Sequence, residues 1–205
     1  MRSRAGWILG LMATILAYRL LLRDWHLTWG ATLEEAAGTL PGDELLAEPD
    51  IQSTRAIAID APPSAVWPWL VQMGSGRGGA YTYDWIENLL GLRMRSADRV
   101  IPEFQDLKPG DVLFSPKEGP GMKAEIVDAE RTLAWRSEDG KWVWSFVLEP
   151  DGEGTRLVSR NRIAVGDSLS GRLGMAAMEP GSWVMERKML LGIKERAERL
   201  AATPG

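Results

Sequence analysis

From Met122 to Val165 the chain runs through four stretches of side chains that alternate between two faces. It then closes on a segment whose apolar residues recur at three- and four-residue spacing. A period of two sorts side chains onto the two faces of a strand, and turns between such strands make an antiparallel meander. Met122–Asp128 sets Met122, Ala124 and Ile126 against Lys123, Glu125 and Val127. Thr132–Ser137 puts Leu133 and Trp135 together, and Asp139-Gly140 makes a hairpin turn. Trp142–Glu149 gathers Trp142, Trp144, Phe146 and Leu148 on one face before Pro150-Asp151-Gly152 turns the chain again. Arg156–Val165 places Leu157, Ser159, Asn161, Ile163 and Val165 on one face and Arg156, Val158, Arg160 and Arg162 on the other. A meander with one apolar face needs a cover. The stripe Met185, Met189, Ile193, Ala197 and Leu200, on a helix predicted from about Pro180 to Ala201, matches it, with Glu195 and Arg199 as an i,i+4 pair.

Upstream, Thr54–Asp60 alternates as a strand, with Arg55, Ile57 and Ile59 on one face and Ala56 and Ala58 on the other. Pro62-Pro63-Ser64 then opens a helix with Ser64 as its expected cap. Its stripe is Val66, Trp67, Leu70, Val71 and Met73, and Pro68 falls in its first turns or kinks it. Tyr81–Leu90 reads as a second short helix with Trp85, Ile86, Leu89 and Leu90 inward and Gly91 closing it. One more strand is expected over Asp111–Ser115. The fold class is therefore α+β: an antiparallel sheet gripping a long C-terminal helix, with room for a pocket between them.

Trp7–Leu22 is apolar except for Thr14, Tyr18 and Arg19. Counted from Ala5, a helix of that length reaches about 27 Å, marginal for a hydrocarbon core of ~30 Å. Arg19 is placed to snorkel, and Trp7, Tyr18, Trp25 and Trp29 suit interfacial positions. The expectation is a single N-terminal membrane-anchor helix over residues 1–24, at the cell membrane with its side open. Its rivals are a cleaved signal peptide, which lacks a small-x-small site after the run, and a helix packed on the domain. Residues 25–50 form a turn-rich acidic connector in which Thr32, ahead of Glu34 and Glu35, caps a short helix. The main domain is then 51–201.

With Lys plus Arg at 24 against Asp plus Glu at 28, a net charge of -4 and no basic run, the chain is no electrostatic nucleic-acid binder. The absence of cysteine removes thiolate metal sites and a cysteine nucleophile, and His26 as sole histidine removes histidine triads and multi-histidine metal sites. Gly74-Ser75-Gly76-Arg77-Gly78-Gly79 has the letters of a dinucleotide loop, but it follows a helix where that loop must follow a strand. It reads instead as a glycine linker, or as a lip of the pocket with Arg77 facing an acidic ligand group. No metal, nucleotide or redox cofactor is indicated.

Ser53–Ile57 followed by Ala61-Pro62-Pro63-Ser64-Ala65-Val66-Trp67-Pro68-Trp69-Leu70 resembles the opening strand and first helix of the START-like helix-grip proteins. These make up the polyketide cyclase/dehydrase and lipid-transport group of the SRPBCC superfamily. Val71-Gln72-Met73-Gly74, Gly76–Gly79 and Tyr81-Thr82-Tyr83-Asp84-Trp85-Ile86-Glu87-Asn88 are similar to a bacterial subgroup, most of whose members have no assigned chemistry. Met185–Arg199 resembles the closing helix, so the likeness runs from about Ile51 to Leu200. It implies a cavity under the long helix for lipids, sterols, polyketides or other hydrophobic molecules, and transfers no catalytic motif.

Within that frame the residues suggest a site. Arg77, Tyr81, Trp85, Trp135, Trp142, Trp144, Ser159, Asn161, Met185 and Met189 are the ligand-binding candidates. Inward Ser159 and Asn161 need partners that a ligand, water or backbone supplies, and Met beside Trp makes an adaptable apolar wall or plain core. Tyr83, Asp84 and Glu87 are the catalytic candidates, since a carboxyl in an apolar pocket has a raised pKa and can move a proton. Against that stands a structural reading in which Asp84 caps its helix and Glu87 bonds a loop or an arginine. Arg156, Arg160 and Arg162 are expected on a solvated outer face near Glu149 or Glu125. Three functions follow: a carrier of a hydrophobic small molecule or lipid at a membrane, a cyclase/dehydratase-type enzyme acting on a polyketide-like or lipid substrate, or a protein-interaction module whose cavity its own tryptophans fill.

Overall fold

The computed structural model describes residues 22–89, 91–113 and 121–203, together with Gly6, Trp7, Gly10, Ala13, Ala17 and Tyr18. Most of the apolar N-terminal run, the expected anchor, lies outside them. Among the described residues no helix is long and apolar enough to cross a membrane.

Among the described residues six strands form one antiparallel sheet: β1 (Ile51–Ile59), β2 (Val112–Leu113), β3 (Met122–Asp128), β4 (Thr132–Ser137), β5 (Trp142–Asp151) and β6 (Gly154–Ile163). Their order across the sheet is β1-β6-β5-β4-β3-β2, a meander onto which the first strand adds beside the last. The alternation sets the register. Trp144 faces Asn161 and Phe146 faces Ser159, while Arg55 faces Ser159 from β1, so the inward side chains of three strands line up across the sheet. In β3 the alternation fails midway. The register against β4 shifts between Ala124 and Ile126, and beyond this bulge Val127, not Ile126, packs against the core.

Two helices cover the concave face. Helix α3 (Pro63–Val71) packs Ala65, Val66, Trp69 and Leu70 inward and carries Pro68 within it. Its cap is Pro62 with Pro63 at the first helical position, and Ser64 makes no cap. The C-terminal helix α5 (Leu169–Ala201) has 33 residues and spans about 50 Å. It does not start at Pro180. Ser168 caps it by accepting a hydrogen bond from Gly171 N, and the helix runs straight through the proline. A proline inside a helix removes one backbone bond. Here contacts on either side hold the helix: Glu179 is fixed from outside by Arg23, and Ser182 Oγ donates back to Glu179 O. Met189, Leu190, Ile193 and Ala197 bury its second half against the sheet, while Leu200 is exposed. Gly192 is required there. A Cβ on it would stand 2.6 Å from Tyr81 O, so only glycine lets the helix lie on Tyr81.

The outer face is covered too. Helix α2 (Leu33–Ala37) and a 3-10 turn at Asp43–Leu46 fold onto it, while helix α1 (Arg23–Leu27) packs between β1 and α5. Thr32 and Glu35 form the expected capping box on α2. Of the three outer arginines of β6, Arg160 and Arg162 are buried, and half-buried Arg156 stands opposite Glu149 of β5, whose charge acts on it, while its guanidinium bonds elsewhere. Arg156 makes a forked pair with Glu35 at 2.7 and 2.8 Å. Arg160, only 1% exposed, reaches Asp43 at 2.6 Å, Thr54 Oγ1, and the carbonyls of Glu35, Ala36 and Gly38 at the end of α2. Arg162 donates to Leu46 O, Ala47 O and Gln52 and lies 3.4 Å from Asp43. A guanidinium with five donors suits a cluster of helix-end carbonyls better than any other side chain.

Candidate ligand cavity

Between the sheet and α5 lies a cavity of about 580 Å³, walled by Trp142, Trp144 and Ile163 on the sheet and by Met175, Met178, Met185 and Met189 on the helix. Leu27 of α1 and Ser53 and Arg55 of β1 complete it on one side, and Thr82, Glu87, Leu92 and Met94 on another. The volume is in the range of small-molecule sites. Trp142 and Trp144 stack with ring centres 5.8 Å apart and line the space without filling it.

A buried polar cluster is set into this wall. Arg55, 1% exposed, donates to Glu186, to His26 O at 2.9 Å, and to Ser53 and Ser182. Glu186, 7% exposed, also accepts from Ser159 Oγ at 2.6 Å and from Asn161 Nδ2 at 3.1 and 3.2 Å. The indoles complete the chain: Trp142 Nε1 donates to Asn161 Oδ1 at 2.8 Å and Trp144 Nε1 to Ser159 Oγ at 3.0 Å. Ser159 and Asn161 thus find the partner their inward position demanded in a carboxylate of α5. With donors and acceptors matched, the cluster fixes the indole planes and ties β1 and β6 to the helix.

Glu87 is different. It sits on helix α4 (Asp84–Leu89), where two of the residues expected inward turn out, Trp85 at 66% and Leu89 at 78% exposed, Ile86 is half-buried, Leu90 lies outside the described residues, and Glu87 is 8% exposed. The reason is visible in the polar residues. Asp84 does not cap its helix but takes Ser96 N at 2.8 Å and Ser96 Oγ at 2.6 Å, and Asn88 exchanges two hydrogen bonds with the Met94 backbone. These i,i+4 side chains bind the following loop and rotate Glu87 into the cavity wall. Among the described residues its Oε2 has no hydrogen-bond partner, and it bonds neither a loop nor an arginine. Burial, helped by the charge of Asp84, pushes the carboxyl up to about 7.

The remaining candidates sit elsewhere. Arg77 turns away from the cavity to the carbonyls of Val71 and Phe104, both at 3.1 Å, and lies over the Phe104 ring. Its glycine loop closes on itself through the Gly74–Gly79 pair, and Gly79 has a φ of 71° with backbone 2.7 Å from where a Cβ would stand. Tyr81, at a φ of 58°, is buried beneath α5, where burial raises the phenol and its hydroxyl donates to Trp69 O at 2.8 Å. Trp135 is deep core, edge-on to Trp144 and Phe146. Tyr83 and Trp85 face outward.

Arg55, Glu186, Glu179, Met175 and Met178 are site residues that the sequence reasoning did not select. Arg55 carried a signal, as a charge on the inward face of an apolar strand, and such a charge demands a buried counter-charge. Met175, Met178 and Glu179 lie ahead of Pro180, outside the helix that the sequence predicts.

The rim is closed by the chain that follows the apolar N-terminal run. Arg23 grips Glu179 with two hydrogen bonds, at 2.9 and 2.7 Å, and Trp25 packs on Trp183 with ring centres 5.1 Å apart. His26 is buried, which lowers its pKa with help from Arg55, and its ring meets Tyr18.

No protein-family model matches this chain, and no curated protein matches it. Solved structures do. The solution structure of KanY protein is 14% identical over 72% of this chain and 97% of its own, with a TM-score of 0.48. Protein MLL2253 from Mesorhizobium loti is 18% identical over 73% and 98%, with a TM-score of 0.42. The Aha1 dimer from Colwellia psychrerythraea is 18% identical over 76% and 99%, also at 0.42. At that distance they carry nothing about chemistry. The helix-grip arrangement stands on the strand order and the covering helix themselves.

Proposed function

We propose that this chain is a START-like protein of the SRPBCC type, in the bacterial subgroup its sequence resembles, and that it holds a hydrophobic small molecule or lipid between the sheet and α5. The observation that carries this is the cavity of about 580 Å³ with methionines on one wall and tryptophans on the other. Unbranched methionines adapt to irregular apolar ligands, and hydrogen-bonded indoles give them a rigid floor. An open cavity also speaks against a module whose tryptophans fill it. The apolar run Trp7–Leu22 leads directly to Arg23 at the rim, which supports a membrane-anchored protein whose cavity mouth lies near its ligand's source. The cyclase/dehydratase-type reading rests on one observation, the unpartnered carboxyl of Glu87 in the wall.

Native mass spectrometry of the full chain, purified from carbonate-washed bacterial membranes, tests this. The expected result is a protein that stays with the membranes and carries an extractable apolar mass. A chain that is empty, and still empty after incubation with a lipid extract, overturns the carrier reading.

A further inference from the structure

Among the described residues four charged side chains line the cavity: Arg55, Glu87, Glu179 and Glu186. Arg55 is spent on Glu186, and Glu179 is held by the fork of Arg23 from outside. That leaves one carboxyl, Glu87, without a counter-charge. Asp84 on its own helix adds repulsion, and Arg93 and Arg95 on the loop that follows are exposed. From the packed helix α5 come only Glu179 and Glu186, already paired, while Arg196 is committed to Ala97 O and Asp98. From β1 comes only Arg55. Among the described residues no cation is left over for an anionic ligand, and one anionic oxygen is left over for a cationic one.

We propose that Glu87 is the polar anchor of the cavity and selects an apolar ligand bearing a basic amine over one bearing a carboxylate. This rests on the cavity-binding reading above and adds the headgroup chemistry to it. The tail of such a ligand lies among Met175, Met178, Met185, Met189 and the two indoles. Its ammonium supplies both the counter-charge that the Glu87 carboxyl in the cavity wall lacks and a hydrogen bond to it, relieving the cost of ionising a carboxyl away from water. The fully satisfied Arg55–Glu186 cluster offers a carboxylate nothing, because opening that pair would strand a buried charge.

The test is calorimetric titration of the full chain at about pH 8 with dodecylamine, dodecanol and dodecanoate, three probes with one tail, where a charge-assisted hydrogen bond is worth roughly tenfold or more in affinity. Dodecylamine is expected to bind at least about tenfold tighter than dodecanoate, with dodecanol between them. In Glu87→Gln the amine falls to the dodecanol value. In the wild-type protein, lowering the pH through about 7 weakens dodecylamine and leaves dodecanol unchanged, a readout that needs no variant. Dodecanoate binding as tightly as the amine, or an amine preference that survives Glu87→Gln or the pH change, overturns the proposal while dodecanol binding keeps the cavity reading intact. Failure of all three probes to bind overturns both.

Discussion

A carboxyl in the wall of an apolar cavity is costly to ionise, and Glu87 carries that cost in the folded state alone. Well below the ordinary carboxylate range both folded and unfolded chains hold the proton, and Glu87 contributes nothing to their difference. As pH rises the unfolded chain releases its proton first, so stability falls until the folded carboxyl also ionises near pH 7. Above that the penalty is complete, on the order of 3 kcal/mol for a displacement of this size. Glu87→Gln is therefore expected to raise the melting temperature at about pH 8 and to leave it unchanged at about pH 3, as scanning calorimetry checks. No gain at the higher pH would mean that the carboxyl already has a partner. That Glu87 belongs to the site was legible as a possibility, because the segment is rich in polar residues. That Glu87 and not Asp84 faces the cavity was not, since the helix rotation is set by Ser96 and Met94, residues on a loop with no periodic pattern.

The elements tell a similar story about what pattern reading catches. β4 was legible to the residue and β5 and β6 nearly so, because the side chains of β5 and β6 alternate in sequence and turn residues bound all three strands, even though β4 and β6 are buried on both faces. The bulge in β3, the rotation of α4 and the true start of α5 were not, because each is decided by a partner distant in sequence. The outer face of β6 is the clearest case. Three arginines on one strand face read as solvated, yet they hold α2 and the Asp43 turn to the sheet. Asp43→Ala leaves Arg160 buried without its counter-charge, and removal of one member of such a pair costs about 3–5 kcal/mol. The expected result is that loss in urea unfolding, with faster hydrogen exchange across 28–47. Arg160→Lys with Asp43 in place should also lower stability, since one ammonium cannot serve Asp43 and three carbonyls at once.

On the scale of the molecule, the sheet is a two-sided plate. Its outer face is sealed by the connector, and a small apolar cluster of Ala56, Val147 and Val158 sits beneath Ala31 and Leu40. Its inner face is split between packed core and cavity. The second half of α5 closes the core through Leu190, Ile193 and Ala197, while the first half, through Met175 and Met178, roofs the open space and is pinned by Arg23. One long helix thereby serves as both cavity wall and core, and the proposed ligand space lies beneath its residues 175–189. The methionines make this claim directly measurable. Met94, Met122, Met175, Met178, Met185 and Met189 line the cavity, whereas Met73 is buried in the core outside it. In methyl NMR spectra of methionine-labelled full chain titrated with dodecanol, the account predicts shifts in the six cavity methyls and a stationary Met73. Methyls that do not move, or a Met73 that moves with the rest, would contradict it.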